Sequence, residues 1–150
     1  RTSFSPPLKK YFPDRSENHI FTQINSMGFL DQIFGKKEEQ DQTKSLWRTI
    51  ESEKDLDLAV EKSFNQKVLI FKHSTRCFIS KTVLKSFERQ MENSDKDQTY
   101  YFLDLIAHRG ISNEIESRFG VTHQSPQLIA LENGKAVYNA SHQSIDLDHI

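Results

Sequence analysis

With a single cysteine among 150 residues, the chain cannot close a disulfide within itself. That excludes the disulfide-stapled secreted scaffolds and fits a reducing compartment. Charge of one sign is lacking as well: 20 basic residues face 21 acidic ones, a formal net charge of -1. Without a basic field to hold a phosphate backbone, nucleic acid is not expected as a partner. Long apolar runs are missing too. Stretches such as Val68 to Phe71 last only a few residues, against the roughly 20 that a membrane-spanning helix needs, so no transmembrane segment is expected. The first residues show no cationic region followed by an apolar one and a small-residue cleavage site, which predicts no secretory signal and a cytoplasmic location.

Three of the four prolines, Pro6, Pro7 and Pro13, fall within residues 1–26, where neither helical nor strand periodicity is present. This segment is read as a disordered extension. In residues 27–45, "MGFLDQIFG" places Phe29, Leu30, Ile33 and Phe34 on one face of a short helix, and the polar "KKEEQDQTK" follows. Such a helix can dock a partner or a membrane surface, but with nine residues and few cations, packing on its own domain is preferred. Residues 46–150 then form one domain, in keeping with the usual size of a single core.

Within that domain, Leu46 to Ile50 reads as a short strand, and Ser52 followed by Asp55 as a capping box opening a helix to about Phe64. Leu56, Ala59, Val60 and Phe64 are its inward positions. The continuous run "KVLIFKH" marks a strand buried on both faces. After Cys77, residues Ile79, Val83, Leu84, Phe87 and Met91 recur at helical spacing, and "TYYFLDL" supplies another strand, completing a parallel strand–helix–strand unit. Ser112 is expected to cap a third helix carrying Ile111, Ile115 and Phe119, with Gly120 at its stop. In "VTHQSPQLIALENGKAVYNAS" two runs are joined by Asn133-Gly134, a pair that adopts positive φ at little cost and so predicts an antiparallel hairpin. "SIDLDHI" is expected to start a last helix at Ser144. The fold class is α/β with the thioredoxin-like order: a central mixed sheet of parallel strands plus a C-terminal antiparallel hairpin, flanked by helices.

In open α/β sheets, reactive groups gather beyond the carboxyl ends of the parallel strands, where loops enter helices. Cys77 stands there. With Ser74 or Thr75 as N-cap, the thiol falls in the first helical turn, where unpaired amides and the helix dipole favour the thiolate. Arg76 adds a cation, His73 is a candidate helper for the thiolate, and Ser80 can offer its hydroxyl to the sulfur. Ser125-Pro126, just before a strand, can be cis and expose backbone to an extended substrate chain. The motif Cys77-Phe78-Ile79-Ser80 has no second thiol, so a mixed disulfide on Cys77 needs an outside thiol to release it. His73 and Cys77 lie four apart and His123 could approach them, but zinc needs three or four ligands and no metal site is assigned.

The segment from about Trp47 onward resembles the YtxJ-like family of monothiol bacilliredoxins, thioredoxin-fold proteins associated with the low-molecular-weight thiol bacillithiol. The stretches "FKHSTRCFIS", "SPQLIALENGK" and "NASHQSI" carry the resemblance, together with "MGFLDQIFG". It implies that Cys77 is the nucleophile, that Pro126 is a cis-proline facing it, and that the substrates are bacillithiol-modified proteins. It further implies no tightly bound cofactor, bacillithiol as co-substrate, and a small thiol or partner reductase to regenerate Cys77. Phe78 departs from the family pattern, which commonly has Pro after its Cys. The alternative from another class is a redox-inert thioredoxin-like module that binds proteins through the Pro126 face or the "MGFLDQIFG" helix.

Overall fold

The computed structural model describes residues 46–150; the expectations for residues 1–26 and 27–45 lie outside them. Five strands form one sheet: β1 (Trp47–Thr49), β2 (Lys67–His73), β3 (Gln98–Asp104), β4 (Gln127–Glu132) and β5 (Lys135–Ser141). Three helices connect them, α1 (Glu53–Lys62), α2 (Phe78–Glu92) and α3 (Arg109–Phe119). The sheet order is β1-β3-β2-β4-β5, with β1 and β2 parallel to β3, and β4 antiparallel to both β2 and β5. The long apolar run thus sits at the sheet's centre.

Successive side chains of a strand point to opposite faces, and β2 divides its residues accordingly. Val68 and Ile70 join Leu56, Ala59, Ile111, Ile115, Ile129 and Leu131 in a core beneath α1 and α3. Leu69 and Phe71 join Val83, Phe87, Met91, Leu128 and Ala130 beneath α2. Here the Trp47 ring lies about 6 Å from those of Phe71, Phe87, Tyr100 and Phe102. Its indole N–H donates to Glu88 Oε1 at 3.0 Å, joining the edge strand to α2.

Each helix has an identifiable start or stop. The capping box is present at α1: Ser52 Oγ accepts the Asp55 N–H at 3.3 Å, and Asp55 Oδ2 accepts the Ser52 N–H at 2.9 Å. The Ser52 hydroxyl, first, and then the Glu51 amide hold the Asp55 carboxyl below its ordinary value. Gly120 ends α3 with φ 63°, the left-handed geometry that glycine adopts without a Cβ penalty. The hairpin turns on Asn133 and Gly134, both at positive φ.

Four local expectations are corrected. Phe64 is 61% exposed, because α1 stops at Lys62 and Ser63 docks on the hairpin turn, accepting the Gly134 N–H on its hydroxyl and the Asn133 N–H on its carbonyl. Ile79 is 46% exposed, since the buried stripe of α2 runs through Ser80, Val83, Phe87 and Met91. Ser112 does not cap α3; His108 does, and Ser112 is buried one turn inside. The last segment forms two 3-10 turns, His142–Ser144 and Leu147–His149. Extended Ile145 and Asp146 interrupt any longer helix, burying Ile145 and Leu147 under α2.

Candidate functional site

The registers bring one set of loops to one end of the sheet. His73 pairs with Asp104 at the carboxyl ends of parallel β2 and β3, while Lys72 pairs with Gln127 at the start of antiparallel β4. The loop that carries Cys77 and the loop that carries Pro126 therefore leave the sheet at the same edge. This end also receives the C-terminus of β5, where Ser141 pairs with Gln127.

Cys77 is the N-cap of α2, two or three positions earlier in the helix than expected with Thr75 or Ser74 as cap. Its backbone is extended, φ -98° and ψ 122°; its carbonyl accepts the Lys81 N–H, and its own N–H donates to the Ser74 carbonyl. An N-cap side chain points at the N–H groups of the second and third helical residues, here Ile79 and Ser80, which have no intrahelical acceptor. The Cys77 thiol makes no such hydrogen bond and is partly exposed to solvent.

Ser80 is fully buried. Its oxygen accepts the Ser74 N–H at 3.0 Å and lies 2.8 Å from His73 Nδ1. The hydroxyl assigned to the sulfur on sequence grounds is here engaged with His73. His73 is buried as well; desolvation, ahead of the opposing Asp104 charge, holds its pKa below the ordinary imidazole value, so the ring is neutral at pH 7. Its ring centroid lies 5.5 Å from that of Phe102. His73, Ser74 and Ser80 thus lock the loop beneath Cys77, whereas Thr75 and Arg76 are exposed.

Opposite this loop, the Ser125-Pro126 peptide bond is cis. Two interactions hold the segment: Gln127, fully buried, donates to the Thr122 carbonyl and accepts the Gln124 N–H, and the Pro126 carbonyl accepts the His142 N–H at 3.1 Å. His142 reaches that carbonyl with φ 55°, which gives the "NASHQS" stretch a structural purpose. Ser125 Oγ is buried without a hydrogen-bond partner.

On the other face of β2 lies a group that sequence reasoning missed. Lys72 is fully buried, with Nζ 2.9 Å from His123 Nδ1, and burial outweighs the nearby Glu116 carboxylate to push its pKa down to about 8. Ser112 Oγ approaches the same ring nitrogen at 3.2 Å, and Glu116 accepts the His123 N–H. Burial, followed by the Lys72 charge, lowers the His123 pKa. The signal was available: a lysine inside a run read as buried on both faces has to be buried. His123 is turned to Lys72 and His73 to Ser80, on opposite faces of the strand, so the three residues His73, Cys77 and His123 do not converge as ligands.

The sequence pattern of the family described as Monothiol bacilliredoxin BrxC matches residues 48–150. Among solved structures, the chain is similar to one described as a candidate oxidoreductase with a thioredoxin fold, at 27% identity and a TM-score of 0.62, covering 71% of this chain and 91% of the other. It is also similar to Schistosoma mansoni thioredoxin, at 21% identity and a TM-score of 0.55, covering 67% of this chain and 86% of the other. Malassezia sympodialis thioredoxin matches at 17% identity with a TM-score of 0.53, covering 65% and 78%. The last two likenesses show the fold alone. Among the described residues no helix is long and apolar enough to cross a membrane.

Proposed function

The chain belongs to the monothiol bacilliredoxin family, and from that premise we propose that it removes bacillithiol from mixed disulfides on proteins, through Cys77. One observation carries the reading: the chain's one thiol stands, partly exposed, on the N-cap residue of the helix that follows a central strand. The Cys77 thiolate attacks the bacillithiol sulfur, a Cys77–bacillithiol disulfide forms, and the client's sulfur–sulfur bond breaks to release a client thiolate. One disulfide replaces another, so no external oxidant is needed.

Ser80 holds no thiol, so the new disulfide waits for a small thiol or a partner reductase to attack it. Arg76 and the α2 amides stabilise the thiolate. His73, Ser74, Thr75 and Ser80 form the loop that presents it, and Ser125 and Pro126 orient the client's backbone. Bacillithiol serves as co-substrate rather than as a resident cofactor, and a reducing cytoplasm supplies the thiol that closes the cycle.

The test is to incubate the protein with a bacillithiol-modified model protein and follow both masses. Loss of one bacillithiol from the client and its gain on Cys77 is expected. Removal at the wild-type rate by the Cys77→Ser protein would sink the proposal. Unchanged masses would leave a redox-inert docking module as the better account.

A further inference from the structure

Immediately beyond Cys77, the outer face of α2 carries a groove lined by Phe78, Lys81, Thr82, Lys85, Ser86 and Arg89. Phe78 is 82% exposed at its head and Ile79 46%, so two large apolar side chains stand in water directly after the thiol. Adjacent exposed apolar groups at a reactive centre mark a contact surface. The other feature is charge. Lys81, Lys85 and Arg89 succeed one another four residues apart, which places them along one side of the helix, each about 6 Å further along its axis. Exposed Arg76 adds a fourth cation just before Cys77.

The acids of α2 do not cancel the end nearest the thiol. Glu88 is engaged by the Trp47 indole; burial pushes its carboxyl up, and of the three cations Lys85 is the one that acts on it. Glu92 is the last residue of the helix, at the end away from Cys77.

We propose that this groove receives an acidic, extended stretch of the client protein flanking its modified cysteine. The inference rests on the reading of Cys77 as the nucleophile and names the sequence chemistry of its clients. An extended chain advances about 3.3 Å per residue, so its alternate side chains are about 6.6 Å apart, close to the spacing of the cations. From Phe78 to Arg89 the helix rises about 16 Å, the length of about five extended residues. The fitting client carries Asp or Glu at alternate positions within about five residues of its cysteine, with an apolar neighbour against Phe78. Charge complementarity of this kind acts mainly on encounter rate and choice of partner, and it is screened by salt.

The test reads docking apart from chemistry. A short labelled peptide in which Ser replaces the cysteine and Asp occupies alternate positions is titrated with the full chain by fluorescence anisotropy, beside its Asn counterpart. At about 50 mM salt the Asp peptide should bind roughly tenfold tighter, and the advantage should vanish near 500 mM salt or in a Lys85→Glu/Arg89→Glu variant. That variant should retain the wild-type melting temperature and the wild-type reaction rate of Cys77 with neutral 2-hydroxyethyl disulfide. Equal affinities for the two peptides, or a preference that persists in the variant, would overturn the inference. Cysteine-containing versions joined to bacillithiol separate the two readings. Tight Asp-peptide binding without transfer supports the groove and rejects the proposed function, whereas transfer at equal rates from Asp and Asn peptides does the reverse.

Discussion

The hydroxyl of Ser80 lies 2.8 Å from His73 Nδ1 and accepts the Ser74 N–H at 3.0 Å, directly beneath the loop that carries Cys77. The residue that stands where a C-x-x-C enzyme holds its second thiol is thus a structural tie. Ser80→Ala leaves a buried ring nitrogen and a buried amide without partners, so it should cost about 2 kcal/mol by urea denaturation. Bacillithiol removal should slow with it. A loss below about 0.5 kcal/mol, the usual range of an inconsequential substitution, would mean that the loop does not depend on this contact.

Cys77→Ser should retain the fold, since the thiol makes no capping hydrogen bond and is partly exposed, and serine is itself a favourable N-cap. Thermal melting should show equal or slightly higher stability, with no mass transfer from a bacillithiol-modified protein. A large drop in melting temperature would instead assign the sulfur a packing role.

Lys72 makes stability depend on pH in an unusual direction. Its amine falls to about 8 in the folded protein from 10.5, so between those values the unfolded chain binds more protons and stability rises with pH. The cost of burying the charge is fully present below pH 8 and relieved by about pH 10.5, on the order of 3 kcal/mol. Lys72→Met should remove that rise relative to wild type in denaturation series from pH 7.5 to about 10.5. Parallel curves for the two proteins would show that Lys72 stays charged in the fold.

Gly134 has φ 75°, and a Cβ there would lie 2.9 Å from the Phe64 ring. Gly134→Ala should therefore destabilise by about 1 to 2 kcal/mol. The part due to crowding should be recovered when Phe64→Ala is added, as a double-mutant cycle measures. A fully additive pair would leave only the backbone conformation as the cause.

Low-stability opening of the Pro126 loop should follow loss of its side-chain anchor. Gln127→Leu removes the hydrogen bonds to Thr122 and Gln124 while keeping an apolar group in a fully buried position. Amide exchange at residues 122–125 should accelerate more than that of β4 itself. Uniform acceleration across the sheet would show a global loss of stability instead.

Local chemistry alone was enough to define much of this protein. Period-two and period-3.6 patterns, the Ser52–Asp55 box, Gly120 and Asn133-Gly134 each act within a few residues, so the succession of strands and helices up to the hairpin, the start of α1 and the stop of α3 were readable from the chain, as was the loop holding Cys77. What tertiary structure decided depends on partners distant in sequence. Phe64 lies on the hairpin turn 70 residues away, and the Ser80 hydroxyl pairs with His73 across a loop. Lys72 is buried against His123, 51 residues on. A side chain's hydrogen bond is set by whichever donors and acceptors packing brings within about 3 Å, and that proximity is a property of the folded sheet rather than of any local stretch of sequence.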